Sequence, residues 1–107
     1  MAIKKKQGDS IWLDITAEAA DLIDDVWANW TGSWAVAPTI GATPTISGTL
    51  TKDATELGKF YLRITTTQAA LLSVGTYYLT IQVDNTTVDY RQEIAQEKIT
   101  ITAQGIV

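Results

Sequence analysis

The side chains of this sequence that could do chemistry are carboxylates and hydroxyls, and nothing stands ready to activate them. Among 107 residues there is no cysteine and no histidine. That removes thiolate nucleophiles, disulfides and the usual zinc ligands, together with the commonest general base. Serine and threonine are plentiful, but a hydroxyl without a neighbouring base is a weak nucleophile. No Ser-x-x-Lys pattern offers lysine in that role. The densest carboxylate group is Asp21, Asp24 and Asp25. A calcium loop alternates its oxygen ligands around a sharp glycine turn and closes on a distal glutamate. That spacing is missing, so a solvated loop is expected there. Glycoside hydrolysis needs two carboxylates flanking one cleft, and 12 acidic residues supply pairs by chance. No glycine-rich phosphate loop occurs. The expectation is a protein that is not an enzyme, with no cofactor and no metal site.

Charge narrows the partners. The formal net charge is -4 and the only basic cluster is Lys4–Lys6. Nucleic-acid binding wants a basic stripe or patch, so no nucleic-acid partner is expected. The three lysines suit a solvated lead-in strand that discourages edge pairing. No apolar run approaches the ~20 residues of a membrane span, so no membrane partner is expected. MAIKKKQGDS lacks the apolar core of a signal peptide. The chain is therefore expected to be made in the cytoplasm, and Asn29-Trp30-Thr31 and Asn85-Thr86-Thr87 match the glycosylation pattern only by chance.

The elements that must carry these residues are strands. Ser10–Thr16 alternates, with Ile11, Leu13 and Ile15 on one face and Trp12, Asp14 and Thr16 on the other. Gly8-Asp9 marks a turn before it. Ala17–Asp25 is too short for an independent helix, which is marginal below about 12 residues, and is expected to be a polar loop. In Val26–Val36, one unbroken strand puts Trp30 and Trp34 in the core and turns Trp27 outward. Gly32 then relieves crowding between the two indoles or marks a bulge.

Ala37–Pro44 is a loop, Thr45–Thr51 a strand with Ile46 and Leu50 inward, and Lys52–Gly58 a polar turn. Phe60, Leu62 and Ile64 face inward against Tyr61, Arg63 and Thr65. A short helical turn near residues 67–73 follows. Gly75 then opens the strand Tyr77-x-Leu79-x-Ile81-x-Val83, with Tyr77 inward and Tyr78 outward. Asp84–Thr87 is expected to be a hairpin turn, and Ile99, Ile101 and Ala103 close the chain. About seven strands at regular spacing predict one domain, residues 1–107: an all-β, immunoglobulin-like antiparallel sandwich.

Function must then come from surfaces. Exposed large aromatics concentrate at interfaces, which singles out Trp12, Trp27, Tyr61 and Tyr78 as candidate contact residues. The alternative is a carbohydrate-binding or adhesion module in which such rings stack on sugars.

Gln7-Gly8-Asp9-Ser10 before an alternating strand resembles the opening of a recurrent phage module. So does the later run of Thr66, Leu71-Leu72 and Gly75-Thr76-Tyr77, where a threonine and a leucine-bearing turn precede Gly-x-Tyr and a second alternating strand. The chain thus resembles the N-terminal domain of phage baseplate upper proteins and related small prophage structural proteins of tail or neck. Members of that group tend to have a Leu-Thr-Gly step between the first strands, where this chain has Ala20–Asp25. The resemblance implies a virion component that docks by its surfaces on other virion or tail proteins, with a homo-oligomer in a symmetric ring as a recurrent arrangement in the group, and brings no catalytic residues.

Overall fold

The computed structural model describes residues 2–16, 27–56 and 58–103. Among them are eight strands: β1 (Ala2–Lys6), β2 (Ile11–Thr16), β3 (Trp30–Ala37), β4 (Ile46–Thr49), β5 (Thr51–Lys52), β6 (Lys59–Ile64), β7 (Gly75–Asn85) and β8 (Tyr90–Thr102). One sheet has the order β1-β8-β7-β3-β4 and the other β2-β6-β5. The set β8-β7-β3 facing β2-β6-β5 is the immunoglobulin arrangement of a β-sandwich. Pairing is antiparallel throughout except for β1, which lies parallel to β8. The expected all-antiparallel pairing fails there for a topological reason. The chain changes sheets at the Gly8 turn, so its first and last strands enter the same sheet edge from the same end. The lysine-rich strand β1 occupies that edge position.

Alternation sets the core. Ile11 lies opposite Ile64 of β6, with Leu62 next along the same face, and Leu79, Ile81 and Val83 of β7 join them in one core, all of them buried. Trp30 and Trp34 are buried between the layers as their parity predicts. The strand that carries them starts only at Trp30, because residues Trp27–Asn29 form a 3-10 turn. The tight spot at Gly32 is not where the sequence places it. A Cβ there would stand 2.6 Å from Leu50 Cδ1, so the glycine makes room for leucine and not for the neighbouring indoles. No bulge occurs at this point of β3, since Gly32 pairs in register with Val83.

Leu50 also corrects the expected single strand over Thr45–Thr51. Its N–H donates to the Gly32 carbonyl (2.9 Å), and its buried side chain turns the chain from β4 in one sheet to β5 in the other. A buried leucine thus ends one strand and begins the next.

The second crossover is the predicted one. A short helix, α1 (Thr66–Ala69), joins β6 to β7 and starts on a capping box in which the Thr65 hydroxyl accepts from the Gln68 N–H and the Gln68 side chain accepts from the Thr65 N–H. This reciprocal pairing satisfies two orphan N–H groups at the helix start. Leu72 is fully buried behind it, and Tyr77 packs inward with its hydroxyl against Ser73 Oγ at 2.9 Å. The hairpin between β7 and β8 turns at residues 86–89, later than expected, because Asn85 remains in the strand. Asn85 is wholly buried and its Oδ1 accepts from the Thr87 N–H. A buried side chain of this kind is no glycosylation acceptor in the folded chain. Asp21, Asp24 and Asp25 lie outside the described residues. No described helix is long and apolar enough to cross a membrane.

Candidate functional site

The outer face of the three-stranded sheet brings two of the four candidate aromatics together. Period two turns Trp12 and Asp14 of β2 outward, and Lys59, Tyr61 and Arg63 of β6 outward on the same side. The register then decides who meets whom. Trp12 lies opposite Arg63 and Asp14 opposite Tyr61. The Arg63 guanidinium sits 4.9 Å from the Trp12 ring centroid and 5.0 Å from that of Tyr61, stacked within reach of both. Its Nη1 donates to the carbonyls of Leu13 (3.1 Å) and Leu62 (2.9 Å), and Nη2 to Asp14 Oδ1 (3.3 Å). Lys59 continues the row, with Nζ 5.7 Å from the Tyr61 ring centroid and 3.6 Å from Glu56.

Arg63 is therefore a brace. Its backbone and carboxylate contacts hold it, and it in turn stacks against two rings, of which Trp12 stays exposed and Tyr61 is half-buried. Trp12 remains 66% exposed, an unusual state for a large apolar side chain held in one place. Removing the brace is expected to loosen that ring. Arg63→Ala should red-shift the Trp12 contribution to the fluorescence, lower its anisotropy, and cost about 1 kcal/mol in stability, the scale of exposed cation–π contacts. Unchanged anisotropy would mean that Trp12 is held by something else.

The far end of the row is fixed by Asp53. One carboxylate oxygen accepts from the Tyr61 hydroxyl, while the other accepts from the N–H groups of Glu56 (2.8 Å) and Thr55 (3.1 Å). These bonds, Tyr61 first, lower the carboxyl pKa from 3.8 to about 2. The same contact raises the phenol of Tyr61. A folded-state carboxyl held below its ordinary value stabilises the fold above that value and ceases to do so as pH falls through the lowered one. The loop of residues 53–56 should thus stay closed at pH 4 and above and open as pH drops through about 2. The Thr55 and Glu56 amide shifts in an NMR titration would follow it, and Asp53→Asn should abolish the transition.

The other two candidates are elsewhere. Tyr78 is half-buried on the outer face of the five-stranded sheet, opposite Ala37 and Lys98, so it shares no surface with Trp12. Trp27 sits in the 3-10 turn, and the direction of its side chain lies outside the described residues. Sequence reasoning missed Arg63 and Asp53 as parts of the site. The signal for Arg63 was its place two residues from Tyr61, which puts both on one face; nothing local marks Asp53 as the acceptor for a tyrosine eight positions away.

Compared with known proteins, no family model matches the chain, and no curated protein matches it.

Proposed function

We propose that this chain is a structural component of a phage or prophage particle, in tail, baseplate or neck, and that it acts by protein–protein assembly. The observation that carries the reading is the braced, exposed Trp12. An indole already fixed by Arg63 gives up little conformational freedom on docking, and rigid aromatic anchors of this kind dominate interface energetics. Partners are other virion proteins, and the site of action is the particle, reached from the cytoplasm of the bacterial host. The immunoglobulin-like sandwich supplies a rigid scaffold for the contact, and the resemblance of Gly8-Asp9 and Gly75-Thr76-Tyr77 to phage modules suggests the setting. The fold alone carries no function.

Immunogold labelling of particles produced from the genome that encodes the chain tests the assignment. Label confined to tail, baseplate or neck is the expected result. Purified particles free of the chain, together with saturable sugar binding that Trp12→Ala abolishes, would overturn it in favour of a carbohydrate-binding module.

A further inference from the structure

We propose that the open edge of β2 takes up an extended acidic strand of a partner protein, with the lysines of β1 as its counter-charge. The inference rests on the assembly reading and names the chemistry of the partner. It starts from free backbone groups. The Asp53 N–H donates to the Lys59 carbonyl (2.8 Å), so Lys59, Tyr61 and Arg63 turn their backbone groups toward β5. Phe60, Leu62 and Ile64 then turn theirs toward β2, to Ile15, Leu13 and Ile11. The reach of Arg63 Nη1 to the Leu13 and Leu62 carbonyls agrees, since both must lie in the gap between the two strands. Trp12 and Asp14 are left with N–H and C=O groups aimed away from β6, where no described strand lies.

Among the described residues this edge lacks the guards that other edges carry. β4 is four residues long, β5 two, and β8 has an irregularity opposite Ile81 and Gln82, where it extends past β1. Short strands and bulges blunt an edge. β2 runs six residues in unbroken register, with no proline, glycine or lysine. Its inward side chains Leu13 and Ile15 are only half-buried, and an added strand would cover them.

Charge selects the occupant. β4 and β5 are joined through Leu50 alone, so they stack on one side of the sandwich, and β1 and β2 share the other across the Gly8 turn. Lys4 and Lys6 are exposed there, while Lys5 shares the inward face of Ile3 and is half-buried. None of the three makes an ion pair among the described residues. Their charged neighbours are Lys98 beside Ala2, Asp9 in the turn, and Glu97 one place beyond the end of β1. Asp14 on β2 is engaged by Arg63. Positive charge is thus in excess along this side of a chain whose net charge is -4. Sheets stack ~10 Å apart, a gap that a lysine and a glutamate span between them. Carboxylates on the inward face of an added strand would meet the β1 lysines, and its outward side chains would lie against Trp12. A second copy of β2 is the wrong occupant, because it brings two lysine rows side by side.

Amide NMR with blocked eight-residue peptides tests the contact, one alternating valine with glutamate and a control alternating valine with lysine. The glutamate peptide in millimolar excess should shift the Trp12 and Asp14 amides and slow their hydrogen exchange about fivefold or more, less so at high salt. Lys4→Glu together with Lys6→Glu should reverse the preference between the peptides. Asp14→Pro removes an edge donor without touching the β6 ladder, and should weaken binding about fivefold beyond the effect of Asp14→Ala. No response of these amides to the glutamate peptide overturns the proposal, as does equal binding of the lysine peptide. Shifts that grow with protein concentration alone would give the edge to a second copy and overturn it too. The particle labelling described above depends on none of these outcomes, so the two readings fail separately.

Discussion

Trp30→Ala is expected to lower stability by about 3–5 kcal/mol, the range for emptying a buried tryptophan site. Domains of this size have only about 5–15 kcal/mol in hand, so the variant should melt on the order of 15–30 °C lower. Trp30 has no exposed surface. It opens β3 opposite Asn85, and its ring meets Tyr90 edge-on, with centroids 5.6 Å apart and planes at 73°. Alanine would leave a cavity bounded by two backbone ladders, which cannot close around it without breaking pairs. The Tyr90 ring would lose its partner at the same time. Urea unfolding followed by far-UV circular dichroism measures the effect. An unfolding free energy within about 0.5 kcal/mol of the parent's would contradict the place of Trp30 between the sheets.

Trp12→Ala should behave in the opposite way. Most of the Trp12 ring is already in water, so its removal is expected to cost less than about 1 kcal/mol of stability. In the proposed assembly it is the anchor, and truncating such a residue weakens binding by about 2 kcal/mol or more, roughly thirtyfold. Titration calorimetry against the virion partner, with the melting temperature recorded alongside, separates the two effects. Equal affinity for parent and variant would remove Trp12 from the interface. Two tryptophans of one short sequence thus predict a large loss in stability with no specific loss of binding, and the reverse.

That contrast was legible in the sequence. Alternation along Ser10–Thr16 and along Val26–Val36 places each indole on a face, because side-chain direction in a strand depends only on parity. The same parity identifies the inward faces of β6 and β7, and the threonine-to-glycine run between them marks the crossover through α1. Parity says nothing about neighbours. Whether Trp12 stands beside Arg63 or beside Lys59 depends on the register of two strands some fifty residues apart, and that register follows from the summed packing of the core. The break at Leu50 was hidden for a related reason. Its local sequence continues an alternating strand, and only the space left by Gly32 in another strand draws it out of one sheet and into the other. The Asp53–Tyr61 bond likewise depends on how the loop before β6 returns to the sheet. The face-sharing of candidate residues can be read from a sequence; their contacts belong to the folded whole.

The parallel seam between β1 and β8 has a mechanical meaning. Ala2 pairs at Lys98 and Lys6 at Thr102, so the two strands point the same way along five residue pairs. Tension applied between Ala2 and Thr102 pulls the strands past each other lengthwise. The hydrogen bonds of the seam then share the load together in shear, where a hairpin pulled open at its ends would surrender them one at a time. The edge strand that carries the lysines is thus also a clamp, resisting force applied along its own direction between Ala2 and Thr102.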